Sequence, residues 1–192
     1  MRSLQFLALH CAAFMIVSGD FTPDFNAFLT NTYGPAMQNR LERKDLQDRG
    51  SFGGRAAAGQ KLKRQPVILV HGITNSASQF RDIGQHFGSN GYDWAEIYAT
   101  TWGDAGKTVF FFVDLKCDYV KQVRSLIQAV NRYTRKKVDV IGYSMGSPIA
   151  RKAIMGGFCV DTGENLGPPL TRIVDTFVAV AGANNASSTK VK

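Results

Sequence analysis

The chain has 192 residues, of which 44% are hydrophobic and 20% charged, an ordinary globular composition with room for one domain and a sizeable core. No stretch approaches the ~18 to 20 continuous apolar residues of a membrane span, and no window repeats at a solenoid period, so a multi-pass membrane protein and a repeat array are excluded. A formal net charge of +8 raises nucleic acid and anionic surfaces as partners. The basic groups, however, are scattered over residues 43–44, 61–64, 135–137 and 151–152, interleaved with acids, and lack zinc-finger, RRM or homeodomain spacing. Solvated faces are the better reading. No nucleic-acid partner is expected, while weak association with negatively charged lipid surfaces stays compatible with the charge.

Met1-Arg2-Ser3 and the apolar run 4–17 follow the grammar of a secretory signal peptide, with Val17, Ser18 and Gly19 supplying small residues at a cleavage site. A buried N-terminal helix is the competing reading, weakened by the polar break behind the run. The expectation is a secreted, extracellular chain with residues 1–19 as signal peptide. Residues 20–65 read as an N-terminal leader, with an amphipathic patch at Phe21, Phe25, Phe28 and Leu29 and a flexible stretch marked by Gly50, Gly53, Gly54 and Gly59.

From Pro66 the pattern changes to short apolar runs at 67–70, 95–99, 138–141 and 173–181, separated by segments of helical period. Runs apolar on both faces suit parallel strands buried under helices. One connecting stripe is Phe80, Ile83 and Phe87; a second is Val120, Val123, Ile127 and Val130; Ile149, Ala153 and Ile154 begin a third. The pattern is βαβαβαβ, an α/β fold with a parallel sheet, right-handed crossovers and helices on both faces. Its ligand crevice belongs beyond the carboxyl ends of the strands.

The third of these strands runs into Gly142-Tyr143-Ser144-Met145-Gly146, a G-x-S-x-G between strand and helix. In that context the pattern reads as a nucleophile elbow, with Ser144 held in a strained turn that Gly142 and Gly146 permit. A Gly-Ser turn without chemistry is the bland alternative. The first strand ends in Val70-His71-Gly72-Ile73, and a tetrahedral acyl intermediate needs two donors aimed at its oxyanion. The backbone N–H groups of Ile73 and Met145 are the candidates. His71 is expected to pack beside this hole and brace the loop, since the base of an elbow hydrolase follows its serine in chain order.

The stretches 66–73 and 137–145 and the run Val180-Ala181-Gly182-Ala183-Asn184 together resemble the class 2 lipases, small α/β-hydrolase enzymes of the bacterial EstA/LipB type. The likeness is greatest to their secreted nematode relatives, in which stretches like Phe21-Thr22-Pro23-Asp24-Phe25, Asp114-Leu115-Lys116-Cys117 and Cys159-Val160-Asp161-Thr162-Gly163-Glu164 recur. It runs from about residue 20 to about 186. It implies an α/β-hydrolase fold, hydrolysis of carboxylic esters with triacylglycerol as substrate class in lipid catabolism, and the family roles of Ser144, Ile73 and Met145; no Cys/His spacing resembles a zinc site, and neither a metal nor a cofactor is expected.

The resembling family places its acid and its histidine beyond Asn184, so the reading assigns no triad acid or base within this chain. His10, His71 and His86 all precede Ser144, and neither Asp161 nor Asp175 is nominated. The core, 66–186, is therefore expected to be truncated after the strand that follows the nucleophile helix. Residues 187–192 form a polar tail, and the Asn185 sequon is weak. Two other classes stay open: a non-catalytic secreted binding protein on the same fold, and a short-chain esterase or acyltransferase. Phe110-Phe111-Phe112 wall an acyl groove or pack under the next helix. Cys117 and Cys159 are expected to stay unpaired with each other, because the helix after Ser144 should carry Cys159 about 15 to 18 Å away.

Overall fold

The computed structural model describes residues 20–183; the expected signal peptide, the sequon and the polar tail lie outside the described residues. Along the chain come α1 (Pro23–Tyr33), α2 (Pro35–Glu42), β1 (Ser51–Phe52), β2 (Val67–Val70), α3 (Arg81–Ser89), β3 (Ile97–Thr100), α4 (Cys117–Thr134), β4 (Val138–Tyr143), α5 (Gly146–Met155) and β5 (Val174–Val180), joined by loops and short 3₁₀ turns. The sheet order is β1-β3-β2-β4-β5. The last four strands are mutually parallel, whereas β1 runs antiparallel to β3, with Ser51 opposite Thr100 and Phe52 opposite Ala99.

The alternation of a strand splits the core into two layers. Val67 and Leu69 of β2, with Ile97 and Ala99 of β3, pack beneath Phe80 and Phe87 on one face. Ile68, Val70, Tyr98, Val138 and Val140 point the other way, into a larger core closed by α1, α2, α4 and α5. Helices on both faces were expected. The stripe assigned to the first connecting helix holds only in part. Phe80 ends a 3₁₀ turn, Ala77–Phe80, before α3 begins. Ile83 is 43% exposed, and it is Gly84 that lies against the Trp94 ring.

Two readings of the first 65 residues are corrected. The sheet is mixed rather than all-parallel, because β1 adds an antiparallel edge too short to carry a periodic signal. Gly50, Gly53 and Gly54 do not mark a flexible stretch: all three are buried. Thr101 N–H donates to Gly50 O at 2.8 Å and Thr22 N–H to Gly53 O at 3.0 Å, which ties this stretch to the β3 side of the sheet. Helix α1 follows from its caps. The Thr22 hydroxyl accepts from Phe25 N–H, Pro23 takes the first turn, and Gly34 at φ 85° ends it. It buries Phe25 completely, among Phe21, Tyr98 and Tyr133 at ring-centre distances of 4.8, 5.3 and 4.8 Å.

The expectation that Cys117 and Cys159 are not bonded to each other is wrong: they form a disulfide, with Cα atoms 5.7 Å apart. Helix α5 leads away from the elbow for ten residues, but the chain then turns back. Gly156 and Gly157, at φ 69° and 76°, reverse it directly after Met155. Residues 157–166 fold against the first turns of α4, where Asp161 accepts from Cys117 N–H at 2.8 Å and Glu164 pairs with Lys121 at 2.9 Å. Arg124 secures the same region from inside, donating to Ala153 O at 2.7 Å and Pro168 O at 2.6 Å.

The reading of the basic residues as scattered also needs correction. Strands β2 and β4 are adjacent and parallel, so the segments that lead into them, 61–66 and 132–137, meet at one end of the sheet. Lys136 Nζ donates to Leu62 O at 3.2 Å and to Arg64 O at 3.1 Å.

Candidate active site

The loop leaving β2 leads to α3 on one face, and the loop leaving the neighbouring β4 leads to α5 on the other. Adjacent strands whose exits diverge open a crevice between them. The two motifs singled out in the sequence, His71-Gly72-Ile73 and the G-x-S-x-G, face each other across it.

Ser144 is one of seven non-glycine residues with positive φ among the described residues, at φ 50°, in the left-handed region that a non-glycine residue occupies only when its surroundings hold it there. Those surroundings are backbone. A Cβ on Gly142 would lie 2.7 Å from Ser147 Cα, and one on Gly146 2.3 Å from Val70 O and 2.4 Å from His71 O. The elbow thus closes directly onto the end of β2. Ser147 fastens it, its buried hydroxyl donating to Gly142 O at 2.7 Å, and Ser144 N–H donates to Val180 O of β5 at 2.9 Å. On the opposite wall a Cβ at Gly72, the residue before Ile73, would come within 3.1 Å of Ser144 Cβ. Met145 follows Ser144 directly and is 8% exposed, and Ile73 is partly buried against the same core cluster.

His71 is 1% exposed and stacked on Trp102 at 4.8 Å between ring centres. Its protonation follows from its partners. The backbone N–H of Trp102 donates to Nε2 at 3.1 Å, so Nε2 is the unprotonated nitrogen; Nδ1, 2.7 Å from Gly72 O, carries the proton and donates it there. Burial pushes the imidazole down to about 4. A neutral ring with its lone pair already engaged is a brace between the Gly72 carbonyl and the β3 exit. His86 lies near the C-terminal end of α3 beside Asn90, with 3.4 Å between His86 Nε2 and Asn90 Nδ2. Asp161 binds Cys117 N–H and Asp175 pairs with Lys137 at 3.4 Å. None of these groups is brought to Ser144. Cys117, Cys159 and Asp161 place potential ligand atoms within 4.8 Å of one another, but both sulfurs are spent in the disulfide and offer no thiolate to a metal.

Several residues around the crevice carried no sequence signal. Trp102 braces His71 twice, since its indole N–H also donates to His71 O at 2.8 Å. The loop after β3 is held by Arg43, whose Nη1 donates to Thr101 O and Gly103 O at 2.7 and 2.8 Å. Asp104 gathers the backbone N–H groups of Gly106, Lys107 and Thr108, and the Thr108 hydroxyl above all holds its carboxyl below the ordinary range. Between this loop and the β2 exit lies a cavity of about 60 Å³ reached by Thr74, Trp102, Phe112 and Tyr119. Phe111 and Phe112 are each 79% exposed, so these two do not pack under α4.

The family model for lipase (class 2) matches residues 64–192, from just before β2 through the elbow and beyond. The chain belongs to the class 2 lipase family. Within that family its parallel strands, divergent exits and G-x-S-x-G elbow constitute the α/β-hydrolase fold. Among curated proteins it is 26% identical over 87 residues to a probable alcohol acetyltransferase of Cyberlindnera fabianii, covering 45% of this chain and 22% of that one. Among solved structures it is similar to Aspergillus fumigatus lipase B, with 20% identity, TM-score 0.48 and coverage of 68% of this chain and 27% of that one. It is also similar to the mature form of Bacillus licheniformis lipase BlEst2, with 17% identity, TM-score 0.48 and coverage of 69% and 46%. The chain thus spans less than half the length of each of these proteins.

Proposed function

We propose that the chain is the nucleophile-bearing part of a secreted serine hydrolase of carboxylic esters, with triacylglycerols as its substrate class. The observation that carries the reading is the strained Ser144, φ 50°, set against Gly72 at the divergence of β2 and β4. Ser144 Oγ adds to the ester carbonyl while its proton passes to a base. The carbonyl oxygen takes up the charge and receives the backbone N–H groups of Ile73 and Met145. Collapse expels the alcohol and leaves an acyl-serine, which water then hydrolyses. The base is not His71, whose lone pair is taken by Trp102 N–H; it and its acid partner come from outside residues 20–183.

The test compares residues 20–192 with a version extended by a family-like C-terminal part, using p-nitrophenyl esters of short and long acyl chains and fluorophosphonate labelling. Labelling at Ser144 and turnover by the extended protein, lost in Ser144→Ala, is the expected result. Loss of the base in a triad enzyme costs about 10⁶ in kcat, so the short chain should be nearly inactive. Equal turnover by both would overturn the assignment of the histidines, and no labelling in either would overturn the hydrolase reading in favour of a binding protein.

A second reading is acyl transfer to an alcohol, favoured by the similarity to a probable alcohol acetyltransferase. It shares the acyl-serine and differs only in the acceptor. Adding a primary alcohol to the extended protein and measuring new ester against free acid separates the two.

A further inference from the structure

We infer that the end of the sheet opposite Ser144 carries a binding recess for a sulfated polysaccharide. This recess is independent of the hydrolase reading. It has a volume of about 460 Å³ and is lined by Arg55, Lys61, Arg135 and Lys136 over the side of Tyr133. That volume falls within the range of about 300–1,000 Å³ usual for small-ligand sites. Lys63, Arg64 and Arg132 lie on the same two chain segments, and all three are exposed.

These cations are not neutralised from within. Among the described residues, none of the seven belongs to an ion pair; in this region only the neighbouring Lys137 is paired, with Asp175. Arg55 is held over the Tyr133 ring at 4.4 Å, while its Nε is buried without a hydrogen-bond partner. The nearby acids already have partners: Asp24 accepts the Tyr133 hydroxyl, Glu96 accepts Arg64 N–H and Asp93 N–H, and Asp139 accepts the Gln65 amide and Thr176 N–H. The carboxyl end of α4 would repel an anion, but two of the carbonyls in its last turns are occupied. Asn131 O receives Arg135 N–H, and Val130 O receives the Thr134 hydroxyl. What faces the recess is therefore predominantly cationic.

The choice of partner follows from what the rim lacks. Leu62 is the one aliphatic side chain lining it, and none of the exposed large apolar residues of the described chain does so. Binding in a lipid interface needs an apolar face to insert; an extended, fully polar polyanion does not. Forked guanidinium and ammonium donors at several points suit the closely spaced oxyanions of such a chain. Strand β4 separates the recess from Ser144 by six residues, about 20 Å at 3.3 Å each, so a bound polysaccharide leaves the crevice open.

The experiment measures binding of fluorescent heparin to the full chain by anisotropy across a salt series, beside anionic phosphatidylserine vesicles and a short DNA duplex. Lys61→Glu/Lys63→Glu, on an exposed loop, should weaken heparin binding about tenfold or more and flatten its salt slope. Arg135→Asn, which keeps a residue suited to the left-handed helix cap at φ 57°, should weaken it in the same direction. Lys107→Glu/Lys116→Glu removes the same charge at the other end of the sheet and should change it less than about twofold. Equal losses in both double variants would show that net charge alone is read and would overturn the recess. Tighter binding to vesicles or DNA than to heparin would overturn the choice of partner.

Discussion

The backbone N–H of Trp102 meets Nε2 of His71 at 3.1 Å, and that bond exists only while the ring is neutral. Protonation turns the acceptor into a second donor facing Trp102 N–H in a buried place.

Stability should therefore depend on pH through His71. Its folded value, about 4, lies below the ordinary 6.5, so between these values the unfolded chain binds the extra proton and stability falls as pH falls. The contribution is fully present above pH 6.5 and is lost down to about 4, about 3 kcal/mol in all. Urea midpoints of the wild type and of His71→Phe, taken from pH 7.5 to 4, should converge toward acid. A gap that stays constant would refute the prediction.

Gly146→Ala should be among the most harmful single-methyl additions in the chain. The new Cβ would meet Val70 O at 2.3 Å and His71 O at 2.4 Å, both backbone atoms that cannot swing aside. A loss of about 3 kcal/mol is expected, read as a lower Tm, together with loss of fluorophosphonate labelling at Ser144 in the extended protein. Ser147→Ala, which only removes the bond to Gly142 O, should cost about 1 kcal/mol.

Phe25→Ala tests whether residues 20–65 belong to the folding unit. The ring is 0% exposed and touches Phe21, Tyr98 and Tyr133, so its removal should cost about 3–5 kcal/mol in one cooperative transition. A small first transition, with the main one unmoved, would make the leader a separate attachment.

Opening the Cys117–Cys159 bridge should destabilise without disturbing the elbow. The two residues are 42 apart in sequence, and a chain-entropy estimate for that loop is about 4 kcal/mol. Cys117→Ser/Cys159→Ser should lower the urea midpoint accordingly. A non-reducing peptide map of the wild type should recover the two cysteines as one linked pair.

The parallel strands were legible as short apolar runs, and all four sit within two residues of where their composition placed them, although β5 is largely exposed rather than buried. Ser144 was legible because strand, G-x-S-x-G and helix are contiguous. The β1 strand was not, since two residues cannot show a period. The disulfide was missed because a distance along a helix axis says nothing about the direction taken after Gly156. The Trp102 brace and the Arg55 recess join residues 31 and 78 apart in the chain, and only the sheet order brings such partners together. The basic clusters looked dispersed for the same reason.

The two flanks of the sheet have different histories on the ribosome. Phe21, Thr22 and the Gly50 to Gly54 stretch dress the β3 side using polypeptide made before most of the nucleophile half exists, whereas β5 is the last strand described and presents Val178 and Val180 at 43% and 44% exposure. Synthesis therefore proceeds from the β1 edge of the sheet toward the β5 edge. A nascent chain paused after β5 would present these half-exposed valines to a chaperone or to later polypeptide.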